Sequence, residues 1–410
     1  MTATPSAEPS MDGPVPPAGA GPSRPVRVLV TGTEYTGGLA ALRALRAAGY
    51  QPWAAITTRS GFGARSRAAA GVVEVCDPRT DAQTFARQLA SAAAEIGAVA
   101  VLPGTEPALL ALGRHRALFP CTVAVGAPPE IQTDIACDKS GLAARAERAG
   151  LAVPPTTLVK RSNGEVPAEM RFPAVVKPVR SELLTEGGLQ RFEVVRVEDA
   201  RALDSAVAGL PGQAALIQPY LAGPIRTVNG VAWNGAVLTT VHKLADRTWP
   251  VDCGVVSYAR TVERDASLDQ AVRRLLADLE WSGLFNLQFI DADDSTYLID
   301  VNPRIYHSVG LAVRAGVNLP AIWTALLLGQ QPAVPEYSVG VRFRAEEDFY
   351  SLWRMFRSGQ RVTALRALLP RPHTTHAVFS ITDPRPTIQL ARRLANRAIS
   401  AIRKNPGSVS

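Results

Sequence analysis

From Val26 the chain alternates short β-branched apolar runs with Ala/Leu-rich segments whose apolar positions recur at helical spacing. VRVLVTG (26–32) predicts a strand closed by glycine, and ALRALRAAGY (41–50) a helix stopped at Gly49. PWAAIT (52–57) reads as a second strand. A helix at 81–96, the strand AVAVLPG (98–104), a helix at 106–113 and the strand CTVAVG (121–126) follow. This alternation predicts a parallel, doubly wound α/β sheet over 26–128.

From 129 the pattern changes. DIACDKSGLAARAERAG (134–150) reads as helix with a glycine stop, FPAVVKPV (172–179) as an apolar strand with one lysine, and ALIQPYLAG (215–223) as a strand running into a linker. VNGVAWNGAVLTTVHKL (228–244) predicts two strands joined through Asn234-Gly235, the strongest short hairpin signal. DQAVRRLLADLEW (269–281) is amphipathic helix, and GLFNLQFIDADDSTYLIDVNPR (283–304) a second hairpin turning at Asp293-Asp294-Ser295. Residues 129–335 therefore read as a separate α+β domain with antiparallel sheets. Residues 1–25, with seven prolines, are expected to be a disordered tail. Residues 336–410 read as a basic C-terminal extension. In it, 349–356, 361–369 and 387–404 are helical, the last with Ala391, Leu394, Ala395, Ala398 and Ile402 on one face.

Charge sharpens the division. The net charge is +8, yet 341–410 alone holds 13 Lys+Arg against 4 Asp+Glu, and the rest 31 against 32. The body is neutral, so no nucleic acid partner is expected. The basic helix 387–404 is expected to pack on its own protein, with peripheral membrane contact as the alternative. Only five of 44 basic residues are lysine: Lys139, Lys160, Lys177, Lys243 and Lys404. Where arginine is the rule, a lysine marks a position that can require a compact ammonium. Four cysteines without a CxxC pair exclude a zinc ribbon and a disulfide scaffold. No apolar run reaches the roughly 18 residues of a membrane span, and the start of the chain carries no signal-peptide pattern. A cytoplasmic setting is the expectation.

The second hairpin carries the chemistry. Asp300 and Asn302, two apart on one strand, share a face, and Gln288 on the paired strand can approach it. Three oxygen-bearing side chains with one carboxylate suit Mg²⁺ or Mn²⁺ when phosphates supply the remaining charge. Arg304 follows at the same parity, where a guanidinium can grip phosphate oxygens. Lys177, inside an apolar strand, needs an anion; a carboxylate or a phosphate would serve. Lys139 on a helix and Lys243 after a strand keep a solvated or structural role as alternatives. TGTEYTGG (31–38) departs from GxGxxG and reads as a turn feeding a helix. Gly104, Thr105 and Glu106 end a later strand and are candidates to line a substrate cleft. His307 and Ser308, on the turn after Arg304, are candidates for contact with an acyl substrate.

The motifs DK (138–139), FPAVVKP (172–178), IQPYLAG (217–223), FNLQF with YLIDVNPR (285–304) and AGVNLP (315–320) resemble, in this order, those of the ATP-grasp family. Gln288 at the first metal position is similar to the carbamoyl phosphate synthetase branch. The resemblance implies a pre-ATP-grasp domain (26–128) before a two-lobed ATP-grasp domain (129–335), with a mobile lobe at about 155–217. It implies that Lys139 and Lys177 hold ATP phosphates, and that backbone groups of Gln218, Pro219, Tyr220 and Leu221 bind adenine. A loop at 180–189, with Gly187 and Gly188, would cover the phosphates. Gln288, Asp300 and Asn302 would bind metal, Arg304 would stand beside the transferred phosphoryl group, and Lys243 is a further candidate for the nucleotide. An acidic residue often stands where Pro219 and Ile225 are here, and the covering loop carries Leu183 and Leu184.

The implied activity is ATP-dependent ligation of a small carboxylate to an amine through an acyl phosphate. Activation of bicarbonate, or nucleotide-gated binding without turnover, are the alternatives. A homodimer is the assembly common among similar proteins.

Overall fold

The computed structural model describes residues 25–160, 170–179, 182–185, 188–191, 194–210, 214–251 and 254–404. The expected tail, apart from Pro25, and Gly187 of the expected covering loop lie outside the described residues.

The first sheet comprises β1 (Arg27–Val30), β2 (Gln51–Ile56), β3 (Gly71–Glu74), β4 (Ala98–Leu102) and β5 (Ala124–Val125), all parallel, in the order β3-β2-β1-β4-β5. Helices α1 (Thr36–Ala47), α2 (Ala82–Ile96) and α3 (Glu106–Arg114) link them. The winding reverses between β1 and β4, which leaves a crevice at their carboxyl ends. Two turns meet there. Gly32, at φ +65°, approaches Gly104 so closely that a Cβ would lie 2.8 Å from its carbonyl carbon. The Thr31 hydroxyl accepts the Gly104 amide at 3.0 Å. The segment 31–38 is thus the expected turn into a helix. The strand expected at 121–126 shrinks to two residues, because Val123 N–H closes a turn on Pro120 C=O.

Two helices, α4 (Glu130–Cys137) and α5 (Lys139–Arg148), lead to a small lobe. The lobe contains β6 (Thr157–Lys160), β7 (Ala174–Pro178), a hairpin of β8 (Glu182–Thr185) and β9 (Gly188–Arg191), β10 (Val195–Val197), α6 (Ala200–Gly209) and β11 (Ala214–Pro219). Four of these strands form an antiparallel sheet, β10-β7-β11-β6, packed against Leu203 of α6.

The large sheet follows. Its elements are β12 (Ile225–Trp233), β13 (Ala236–Trp249), β14 (Val255–Thr261), α7 (Ala266–Asp278), β15 (Gly283–Ala292) and β16 (Ser295–Asn302). Helices α8 (Val309–Arg314) and α9 (Leu319–Leu327) precede β17 (Arg342–Arg344), α10 (Asp348–Arg357), α11 (Arg361–Leu368), β18 (Thr374–His376) and α12 (Pro384–Lys404). The strand order is β16-β15-β12-β13-β14-β17-β18. Asn234 and Gly235 at φ +48° and +78°, and Asp293 and Asp294 at +48° and +60°, make both hairpin turns left-handed, the twist that two-residue connections favour. Ser295 opens β16 rather than closing the turn.

One sheet face is apolar. Val228, Phe285, Leu287 and Phe289 pack on Leu268, Val272 and Leu275 of α7, each such burial contributing about 1.5–3 kcal/mol. The opposite face joins the first sheet through Val231, Val241, Leu284, Tyr306 and Trp323, then turns polar toward Asp300. The segment after 336, expected as an extension, supplies the last two strands of this sheet, β17 and β18, with β17 paired to β14 from Tyr258↔Arg344 to Arg260↔Arg342.

The basic helix begins at Pro384, three residues earlier than expected. It lies on its own protein, but not by the expected apolar face. Gln389 and Arg393 donate to the Ser60 carbonyl, and Arg393 covers the Phe62 ring at 4.8 Å. Ala391, Leu394 and Ala395 stay exposed, and the side chains of Ala398 and Ile402 lie outside the described residues.

Candidate active site

Cross-strand pairing assembles the site. Asp300↔Gln288, Gln288↔Thr227, Thr227↔Lys243 and Lys243↔Thr261 are successive partners across β16, β15, β12, β13 and β14. Direct partners share a sheet face, so these five side chains form one row. Asn302↔Asn286↔Asn229 form the next. A register shift after Gln288 places Ile299 out of step, which brings Asp300 opposite Gln288.

Helix α5 and the small lobe each deliver a lysine to the end of this row. Asp138 caps α5 by accepting from Ser140 N–H at 2.9 Å and Gly141 N–H at 3.3 Å, and Lys139 N–H donates to Val179 C=O at 3.1 Å. The Lys139 ammonium then lies 3.3 Å from Asp300 Oδ1. Lys177, in β7 and only 6% exposed, donates to Ile299 C=O at 3.2 Å. Burial, and then the neighbouring Lys139, push its pKa down to about 8, against the opposing pull of Asp300. On β16, Asn302 donates to Asp300 Oδ2 at 2.9 Å, and Arg304 donates to Asn302 Oδ1 at 3.0 Å and to Ile305 C=O at 2.9 Å. One cation thus pairs with the Asp300 carboxylate, and two more bond to groups one and two residues from it on the chain.

Several polar atoms here have no hydrogen-bond partner among the described residues: Thr227 Oγ1, Asn229 Oδ1, Asn286 Oδ1 and Arg304 Nε. Buried polar atoms rarely stay unpaired without a ligand or water to meet them. No cluster of three or more His, Cys, Asp or Glu side chains capable of holding a metal occurs among the described residues. The donors at hand, Gln288, Asp300 and Asn302, are all oxygen-bearing with one negative charge. That set fits a hard divalent cation only if an anionic ligand completes its shell.

A second cluster lies along the same face. Lys243, expected after a strand, is in the middle of the 14-residue β13. It is 2% exposed, its ammonium donates to Ser308 Oγ and lies 5.0 Å from the Tyr306 ring centroid. Burial pushes its pKa down to about 7. His307 Nδ1 shares a hydrogen bond of 2.5 Å with Thr36 Oγ1 at the start of α1, and burial lowers its pKa. Gly37 abuts the Tyr306 carbonyl, 2.7 Å from where a Cβ would stand. Lys243, His307 and Ser308 therefore come together against the crevice of the first sheet. Glu106, buried at the start of α3, lies beyond the paired turns at Gly32 and Gly104. Three strand spacings, about 14 Å, separate the row positions of Lys243 and Asp300.

The linker between lobes leaves β11 at Pro219. Gln218, 8% exposed, spends its side-chain amide on Thr156 Oγ1 at 2.7 Å. Tyr220 N–H donates to Pro173 C=O at 2.9 Å, and Arg196 covers the Tyr220 ring at 4.1 Å. Leu221 follows, half-buried. Gly188 heads β9, paired with Thr185.

Sequence reasoning missed Thr227, Asn229 and Asn286. Their signal was present: polar residues at period two within otherwise buried strands, in RTVNGV and FNLQF.

The two-lobed antiparallel domain behind a doubly wound one, with this face between the lobes, is similar to ATP-grasp proteins. Residues 212–349, about a third of the chain, match the family described as "ATP-grasp in the biosynthetic pathway with Ter operon". The carbamoyl phosphate synthase large chain of Xanthomonas campestris pv. campestris is 26% identical over 245 residues, 56% of this chain and 22% of that one. The chain thus spans about a fifth of that relative's length. N5-carboxyaminoimidazole synthetase from Staphylococcus aureus superposes with a TM-score of 0.57 at 13% identity, covering 76% of this chain and 78% of that one. The L-amino acid ligase of Bacillus licheniformis gives 0.57 at 16% identity, with 74% and 75% covered.

Proposed function

We propose that the protein is an ATP-dependent carboxylate–amine ligase. The observation that carries this reading is the excess of cations at the lobe junction. Lys139 pairs with the single carboxylate Asp300, while Lys177 and Arg304 bond to its strand neighbours Ile299 and Asn302, and a triphosphate supplies the missing negative charge. Gln288, Asp300 and Asn302 would hold Mg²⁺, which when bound neutralises phosphate charge. The backbone of Pro219 to Leu221 would bind the adenine ring.

Lys139 and Lys177 hold the phosphate chain, and Arg304 lies beside the γ-phosphoryl group. An oxygen of the substrate carboxylate attacks the γ-phosphorus as the bond to ADP breaks. The products are ADP and an acyl phosphate. The amine nitrogen then attacks the acyl carbon, loses a proton and expels phosphate, leaving an amide. Positioning and fixed charge supply the acceleration, so no side-chain nucleophile is required. The Lys243, His307 and Ser308 cluster would receive the acyl group, because it shares the face and adjoins the crevice.

Gln288 and the carbamoyl phosphate synthase relatives favour one second reading, in which bicarbonate is the carboxylate that is activated. A screen of carboxylates and amines for ADP and phosphate release, with the product identified by mass, tests both. Release that requires both substrates and is lost in Lys177→Ala supports ligation. A carbamoyl product supports the second reading. Full turnover by Asp300→Ala refutes the site.

A further inference from the structure

Two helices between β17 and β18 leave much of their apolar surface outward, although Leu352 of α10 is buried at 4% exposure. In α11, the small Ala364 and Ala367 are buried at 3% and 9% exposure, while Leu365, and Leu369 just past the helix end, stand 55% and 62% exposed. In α10, Asp348 and Ser351 are buried, while Phe349 and Trp353 are 63% and 55% exposed. The register cannot rotate to hide them. Asp348 accepts two bonds from Arg247 at 2.6 and 2.8 Å and lies 3.2 Å from Arg344, and Ser351 donates to Thr248 C=O at 3.0 Å. Val362 and Leu368 extend the outward apolar face. Contiguous exposed apolar side chains on two packed helices mark an interaction surface.

Charge selects the occupant. From 349 to 382 there is no Asp or Glu, while Arg354, Arg357, Arg361, Arg366 and Arg371 lie among the apolar residues. A second copy would set this basic face against itself with no acid to answer it. The apolar side chains also project rather than line a groove. A deformable anionic layer accepts projecting Trp, Phe and Leu, while arginines stay at the level of its phosphates. The Trp353 and Phe356 rings stack at 6.0 Å, with the Arg361 guanidinium 5.7 Å from the Phe356 centroid, which combines both characters in one patch.

We propose that the outer face of α10 and α11 docks on an anionic membrane surface, independently of the ligase reading. The contact is peripheral: no helix among the described residues is long and apolar enough to cross a membrane. It differs from the contact expected of the basic helix 387–404, whose Arg393 is already engaged at Ser60.

The test is flotation of the full chain with vesicles of phosphatidylcholine alone or mixed with phosphatidylglycerol. The protein is expected to float with the mixed vesicles only, and less as salt is raised. Trp353→Ser, Leu365→Ser and Leu369→Ser combined should lower the bound fraction at least about tenfold, and Arg357→Glu with Arg366→Glu should act likewise. The thermal midpoint of each variant should stay at the wild-type value, since none of these side chains is buried. Absence of flotation, equal flotation with neutral vesicles, or retained flotation in the apolar variant overturns the proposal. Loss only on Arg385→Glu with Arg392→Glu moves the contact to α12 and overturns it too. So does a dimer that the apolar variant splits, or binding of polyglutamate without vesicle binding, which would indicate an acidic protein.

Discussion

Replacing Lys243 by methionine should stabilise the protein, and more so at lower pH. Lys243 is 2% exposed, and its ammonium has a hydroxyl and a ring face for company, with no carboxylate paired to it among the described residues. Burial moves its pKa from an ordinary 10.5 to about 7. At about 1.4 kcal/mol per pH unit, the charged lysine costs the fold on the order of 5 kcal/mol. The sign follows from proton counting. Between the two values the unfolded chain binds more protons than the folded one, so wild-type stability rises with pH across that window. The cost is fully present below about pH 7 and gone above about 10.5. It is about 5 kcal/mol near pH 6 and about 2 near pH 9. Methionine fills a similar volume and removes the charge, while losing the Ser308 hydrogen bond costs about 1 kcal/mol at any pH. Urea unfolding of both proteins near pH 6 and near pH 9 measures the difference. The variant's advantage should shrink by about 3 kcal/mol between them. A pH-independent difference, or a variant less stable than wild type at both, would refute the argument that an uncompensated buried ammonium stands at this position. A lysine retained at such a cost is expected where an anionic ligand meets it, so the variant should also lose ligase turnover.

Other outcomes follow from the buried charges. Asp348→Ala leaves Arg247 and Arg344 facing each other without their shared carboxylate, and should lower unfolding free energy by about 3–5 kcal/mol, read from urea denaturation. Burial alone would raise the Asp269 pKa, but bonds from His242, Thr240 and Arg273 outweigh it and hold the carboxyl well below the ordinary range. Its contribution is present above the unfolded carboxylate value and lost as pH falls below about 4, so Asp269→Asn should flatten the acid side of the stability–pH curve. Asn286→Leu removes an orphaned amide oxygen from the buried face. It should leave or raise the thermal midpoint while weakening ATP binding, measured by calorimetry.

Much of this protein was legible locally. Alternating strands and helices declare the first sheet. Asn234-Gly235 and Asp293-Asp294 sit in the left-handed turns their residue types favour. The pair Asp300 and Asn302 shares a face because strand geometry has a period of two. Where the sequence misled, the deciding contacts were distant. Lys243 looked like a residue at a strand end, yet strand pairing through Thr227 and Gln288 puts it in line with Asp300. His307 meets Thr36 across 271 residues. The three-residue β17 carries no periodicity of its own, and only its pairing with β14 makes the segment after 336 part of the sheet. In α10 the Asp348 ion pairs turn that residue inward and leave the adjacent Phe349 outward. Turn chemistry and side-chain alternation are properties of neighbouring residues, and the sequence by itself determined them. Which rows align and which face is covered depend on pairing energies between distant segments, so those were decided only when the chain closed on itself.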